Sequence, residues 1–303
     1  NTAVGSSAGF AITTGAFNTL IGALAGDALT DADDNVGLGY GALTSDTLGS
    51  KSVAIGTGAL STQNFTTATD AHNVAVGQAA GNSITTGKDN TLIGATAGDA
   101  LTTGELNVAV GRHSLSADDV GNRTVAIGYA ALQLQNFATS TDTYNVGIGY
   151  GVGASLTTGI RNTIVGAIAA DALTDSDDNT VFGYNALTSD TLGSRSTAIG
   201  RSALSSQNHT TATTTYNTAV GYNAGGQVTT GASNTLMGDS AGDAITTGGL
   251  NTVIGTFAGS AFTTVSNNTF VGAFCGDAAT SGDNTGVGSG ALGGSLSGDQ
   301  NTA

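Results

Sequence analysis

The stretch NTLIGALAGDALTDADD (Asn18–Asp34) decides the reading of this chain, because it returns as NTIVGAIAADALTDSDD at Asn162–Asp178. Looser copies stand near both ends, NTAVGSSAGFAITTGAF at Asn1–Phe17 and NTVIGTFAGSAFTTVSN at Asn251–Asn267. Taking the Asn as position 0, copies begin at residues 1, 18, 35, 52, 73, 90, 107, 124, 145, 162, 179, 196, 217, 234, 251, 268, 284 and 301. Self-similarity at a fixed short period is the signature of a solenoid. The units starting at Ser52, Thr124 and Ser196 are longer by four residues and recur every 72 residues, so four units form a second-order repeat.

The columns of this repeat carry the structural prediction. Position +4 is Gly in every complete unit, including Gly5, Gly22, Gly39, Gly56, Gly77 and Gly94. An invariant Gly at a fixed corner implies positive φ or a close backbone approach. Position +3 is always apolar, +2 is apolar or Gly, +1 is Thr or Val, and +7 is small. Apolar spacing of two with frequent Gly excludes a helix and predicts short strands. The expected fold is all-β: a parallel β-roll or β-solenoid of about 17 coils (17-residue repeat, 72-residue super-repeat), continuous over residues 1–303 as one repeat domain. Successive side chains alternate across a strand. We assign +3 to the interior beside the small +7 residue, which sends the apolar +2 row (Leu20, Leu92, Ile164, Leu236) outward. Either assignment leaves an apolar stripe in water, and such a stripe predicts an interface.

Composition narrows the function. The 303 residues include 48 Gly, no Pro, no Trp and one Cys, with a net charge of −15 and seven cations. Enrichment in Val, Ile and Thr with strict periodicity argues against disorder. The acidic balance argues against nucleic acid and against anionic membrane surfaces. No apolar run approaches spanning length, so membrane insertion by this segment is not expected. One Cys provides no disulfide framework.

SVAIGTGAL (Ser52–Leu60), TVAIGYAAL (Thr124–Leu132) and STAIGRSAL (Ser196–Leu204) resemble the YadA-like head repeat of trimeric autotransporter adhesins. NTAVGYNA (Asn217–Ala224) is similar to repeats of phage tail-fibre proteins. The resemblance covers essentially the whole chain. It implies a left-handed parallel β-roll, a homotrimer, and a place in a surface-exposed fibre: extracellular, on a cell surface or on a virion. The chain departs from the adhesin head in its longer coils and its regular 72-residue super-period. The repeat runs off both ends, so a segment of a longer fibre is expected.

Candidate chemistry is sparse. Asn occupies position 0 in fifteen of eighteen starts, among them Asn18, Asn90, Asn162 and Asn234, and is expected to form a side-chain ladder. The turns DADD (Asp31, Asp33, Asp34) and DSDD (Asp175, Asp177, Asp178) are oxygen-rich and are weak Ca²⁺ candidates, without EF-hand or calcium-roll spacing. They lie eight coils apart, too far for a catalytic carboxylate pair. His72, His113 and His209 lack metal spacing, Cys275 replaces Ala in the small column, and the Gly-rich phrases do not open helices. No cofactor, metal or catalytic residue is therefore assigned, and the chain is read as a non-enzyme.

The Thr column at +12 raises ice binding as a different class, and a solenoid polysaccharide lyase is a further alternative. A lyase would need charged residues gathered on one face, whereas the cations are scattered. Five Tyr (Tyr40, Tyr129, Tyr150, Tyr184, Tyr222) follow the corner Gly and suit either recognition or inter-chain filling. The extra residues of the long coils fall in QNFTTATDAH (Gln63–His72), QNFATSTDTY (Gln135–Tyr144) and QNHTTATTTY (Gln207–Tyr216). Phe65, Phe137 and His209 are equivalent there, as are His72, Tyr144 and Tyr216. These residues are possible contacts for a glycan or protein receptor. Bracing of a neighbouring chain is favoured, since a binding tip is normally unique rather than repeated along a shaft. The function expected is a structural segment of an attachment fibre, tail-fibre-like, with a cell-surface adhesin as the alternative.

Overall fold

A computed structural model describes residues 1–294 and 298–303. It is an all-β parallel solenoid of about seventeen coils, and no helix occurs among the described residues. The chain divides into two compact units, Asn1–Gly151 and Val152–Ala303. Nine three-residue strands stack in the first unit, from Thr2–Val4 to Val146–Ile148. Eight stack in the second, from Thr163–Val165 to Thr285–Val287. Within each unit, strands pair in parallel with the same columns of the next coil, as in Thr19↔Val36, Leu20↔Gly37 and Ile21↔Leu38. A long coil keeps the register: Val53 pairs with Val74 across its four extra residues. Identical positions therefore stack on one another, and each column of the sequence becomes a row in space.

The +2 row is the interior row. Leu20, Leu92, Ile164, Val181, Leu236 and Phe270 are fully buried, while Ile21, Ile93, Phe182 and Met237 at +3 are exposed. This reverses the faces assigned from the sequence. Both rows are apolar, so burial of apolar area alone could not rank them. What separates them is size matching. The interior is shared by +2, +7, +8 and +11, and residues there vary in compensating fashion. In the first unit Leu20 and Leu29 are large, and Gly26 lies between them at +8. A Cβ on Gly26 would sit 2.8 Å from Leu20 Cδ2 and 2.7 Å from Leu29 Cδ1. In the next two coils Leu43 and Leu60 fill +8, while +2 shrinks to Gly37 and Ala54 and +11 becomes Asp46 and Gln63. The second unit repeats the exchange at +8 and +11 with Leu187, Leu204, Asp190 and Gln207, with Val181 and Ala198 at +2. The four-coil super-repeat is thus a core-volume alternation, as close packing of an interior requires. The +3 row shows no such compensation because it faces outward.

The corner glycines are held at φ between +130° and +146°. A Cβ on Gly5 would lie 2.5 Å from the carbonyl oxygen of Gly22, and one on Gly22 would lie 2.5 Å from that of Gly39. Backbone stacks on backbone at this corner, and both the dihedral and the spacing exclude a side chain. A second corner precedes each position-0 residue. Its φ is near +60° at Phe17, Lys51, Leu106, Tyr144, Arg161 and Leu250, none of them glycine.

Candidate functional site

The Asn row is a continuous polar spine within each unit. Asn90 Oδ1 accepts the backbone N–H of Asn107 (3.0 Å), and its Nδ2 donates to the carbonyl of Gly104 (2.9 Å). Asn18, Asn162 and Asn234 do the same toward Ala32, Ser176 and Gly248. The main contact is side chain to backbone, with amide-to-amide bonds at 2.8–3.4 Å as a supplement. Buried backbone groups left unpaired cost about 1–3 kcal/mol each. Asn90→Leu would orphan the Asn107 N–H and the Gly104 carbonyl. It is expected to destabilise the chain by about 2–3 kcal/mol, read as a lowered denaturation midpoint at unchanged m-value.

The three exceptions to the Asn row, Ser52, Thr124 and Ser196, all begin long coils. There a glutamine takes over. Gln63 Nε2 donates to Ser52 Oγ (3.1 Å) and to the buried Asp46 Oδ2 (2.5 Å), while its Oε1 accepts Asn73 Nδ2 (2.9 Å). Gln135 and Gln207 make the same connections through Asp118 and Asp190. This buried Asp–Gln–Asn connection was missed in the sequence. The signal was present: Asp and Gln interrupt a largely apolar column at +11.

The long coils carry short second strands. Thr69–Asp70 pairs with Gly49–Ser50, Thr141–Asp142 with Gly121–Asn122, and Thr213–Thr214 with Gly193–Ser194. Phe65, Phe137 and His209 turn inward beneath these segments and are buried, so their side chains are not offered to a receptor by this chain. Tyr144 and Tyr216 are exposed, as is His72. Outside, Lys51 pairs with Asp70 at 2.5 Å, and Arg123 pairs with Asp142 and stands over the Tyr144 ring. The hydrogen bond to Asp70 raises the Lys51 ammonium above its ordinary value and lowers the Asp70 carboxyl. Arg195, the third member of this set, instead reaches Asp178 (3.7 Å) and the Tyr216 hydroxyl (3.2 Å).

The acidic turns are used within the fold. Asp31 accepts the Thr14 hydroxyl and Asp33 the N–H of Ala16, while the Asp34 backbone N–H donates to the Ala16 carbonyl. Asp175 accepts from Thr158, Asp177 from the N–H of Ile160, and Asp178 pairs with Arg161 at 2.6 Å. The Arg161 hydrogen bond holds the Asp178 carboxyl below the usual range. Among the described residues, no group of three or more His, Cys, Asp or Glu could hold a metal ion. Cys275 is buried, and burial pushes its thiol up. The +12 hydroxyls of Thr13, Thr102 and Thr229 donate to the next coil's carbonyl. Among the described residues, no helix is long and apolar enough to cross a membrane.

The outward face combines the +3 row with the +5 row beside it. Tyr129 and Tyr150 stack at 5.3 Å in the first unit. In the second, Arg201 sits between Tyr184 (5.9 Å) and Tyr222 (5.7 Å). All four Tyr are exposed. This face offers apolar area, amphipathic rings and a guanidinium. Compared with protein-family models, curated proteins and solved structures, the chain matches none.

Proposed function

We propose that this chain is a non-enzymatic structural segment of a trimeric fibre, extracellular or virion-borne, whose repeats extend the fibre and support attachment in the manner of a phage tail fibre. The exposed +3 row carries the proposal. Ile21, Leu38, Ile93, Ile148, Phe182, Ile199 and Met237 leave apolar area in water at a regular spacing. Another copy of the chain presents the same row at the same spacing, so cyclic association covers it coil by coil. Three copies and a left-handed roll are what the resemblance to YadA-like heads adds. Light scattering should give about three times the 29.3 kDa chain mass. Ile21→Asp, Ile93→Asp and Met237→Asp together should return the single-chain mass while the fold survives. A soluble wild-type monomer would sink the proposal.

A second reading, a cell-surface adhesin that binds glycans or matrix, is favoured by the Tyr184–Arg201–Tyr222 group. Rigid amphipathic rings with a guanidinium between them suit sugar faces.

A further inference from the structure

The three long coils each bury one carboxylate, and the third differs from the first two in what surrounds it. Asp46 accepts the N–H groups of Gly49 (3.0 Å) and Phe65 (3.1 Å) and the Gln63 amide, all neutral donors. Asp118 accepts from Gly121 and Gln135, again neutral. Around Asp190 the donors are Gly193, Gln207 and the backbone of His209, whose ring stands where Phe65 and Phe137 stand in the first unit. That ring is buried with Nδ1 3.7 Å from Asp190 Oδ1, and neither ring nitrogen has a hydrogen-bond partner. A neutral imidazole there leaves a donor and an acceptor unpaired, both costly in a buried site. A protonated one faces a carboxylate.

The surroundings supply no competing charge: Arg201, the cation of the loop's own coil, is held outside over the Tyr184 and Tyr222 rings. The remaining loop residues 208–216 and the following coil, residues 217–233, contain no Asp, Glu, Lys or Arg. Tyr216 and Tyr222 point to solvent. The preceding coil brings Asp190 and Arg195, and Arg195 is turned toward Asp178 and Tyr216. This loop has also lost the outer acid of its counterparts: Thr214 stands where Asp70 and Asp142 receive Lys51 and Arg123.

We propose that His209 and Asp190 form a buried imidazolium–carboxylate latch that holds the third loop from inside, in place of the outer ion pair that holds the other two. The carboxylates respond accordingly. Burial pushes Asp190 up, but the hydrogen bonds from the His209 backbone N–H and the Gln207 amide, together with the nearby imidazole, outweigh it, and its carboxyl lies below the ordinary value. Asp118 lacks the imidazole, and burial leaves it raised, with the adjacent Asp119 adding to the rise where the third loop has Thr191. The signs are opposite. Asp190's contribution to stability is present above the unfolded carboxyl value, near pH 4, and is lost as pH falls through its lower folded value. The Asp118 carboxylate weakens the fold at neutral pH, and that penalty lifts as pH falls through its raised value.

The test is a ¹³C NMR titration of aspartate-labelled full chain, with Asp118 and Asp190 assigned by Asp→Asn variants. In the wild type Asp190 should titrate below Asp118. His209→Phe, which restores the residue found at the equivalent sites, should raise the Asp190 midpoint by about one pH unit or more. Phe137→His should lower the Asp118 midpoint by a similar amount. Either folded variant with an unmoved carboxyl overturns the latch. Should His209→Phe fail to fold, the Phe137→His arm decides alone.

Discussion

Leu92→Asp should unfold the coils around it, at a cost of about 5 kcal/mol or more, while Ile93→Asp one residue later leaves the fold intact. Leu92 is fully buried and touches the space above Gly81 and Gly98, where an added Cβ would meet its methyl groups at 2.7 and 2.8 Å. Removing a buried leucine costs about 2–5 kcal/mol from lost transfer and cavity formation. A carboxylate adds the penalty of an uncompensated buried charge, about 3–5 kcal/mol. No cation faces that point: Lys88 lies outside, toward Glu105. Ile93 is 40 % exposed, and an aspartate there stays hydrated. Thermal unfolding followed by circular dichroism, with hydrogen exchange over residues 73–122, reads both variants. The reverse outcome, with Leu92→Asp folded and Ile93→Asp unfolded, would restore the face assignment made from the sequence.

The second large effect belongs to the corner. Gly128 has φ +134°, and a Cβ there would fall on the carbonyl of Gly149 in the next coil. A non-glycine residue in this dihedral region costs about 1–3 kcal/mol. The overlap with backbone comes in addition, since a carbonyl in a stacked strand has no rotamer by which to move aside. Gly128→Val should therefore cost about 4 kcal/mol or more. Gly128→Ala should cost nearly as much, because the offending atom is the Cβ itself. Gly290 is the control. Its φ is +70° but no atom of the described residues lies within 4 Å of its added Cβ, so Gly290→Ala should cost only the local strain, about 1 kcal/mol. Equal melting temperatures for Gly128→Ala and wild type would remove the backbone-stacking account.

The coil repeat, the strand class and the corner glycine were legible because each rests on one residue type in a fixed column. The direction of the strand faces was not. Val4, Ile21 and Ile93 look as burial-prone as Leu20 and Leu92, and only their partners at +8 and +11 distinguish inside from outside. The second left-handed corner was invisible for another reason. Phe17, Lys51, Leu106 and Tyr144 share no chemistry that would mark positive φ, and the neighbouring coils impose it. Of the loop residues, Phe65 and Phe137 could be found by equivalence, but their burial depends on how the loop folds over the coil, which one column cannot reveal. The Asn row was anticipated as amide stacking, and its main partner is the backbone of the next coil.

The alternation of core volumes also sets how the gene for such a chain can change length. Leu60 and Leu92 already share the space over Gly81, at 2.9 and 2.7 Å from where its Cβ would stand; excising the single coil 73–89 removes that glycine and sets two large side chains in adjacent coils with no gap between them. Excising 72 consecutive residues removes one full cycle, so every large residue meets a small one again. Recombination between repeats is then tolerated in whole cycles and penalised in fractions of one. Lengthening and shortening proceed in discrete steps, and the near-copy of Asn18–Asp34 at Asn162–Asp178, two cycles on, is the trace such steps would leave.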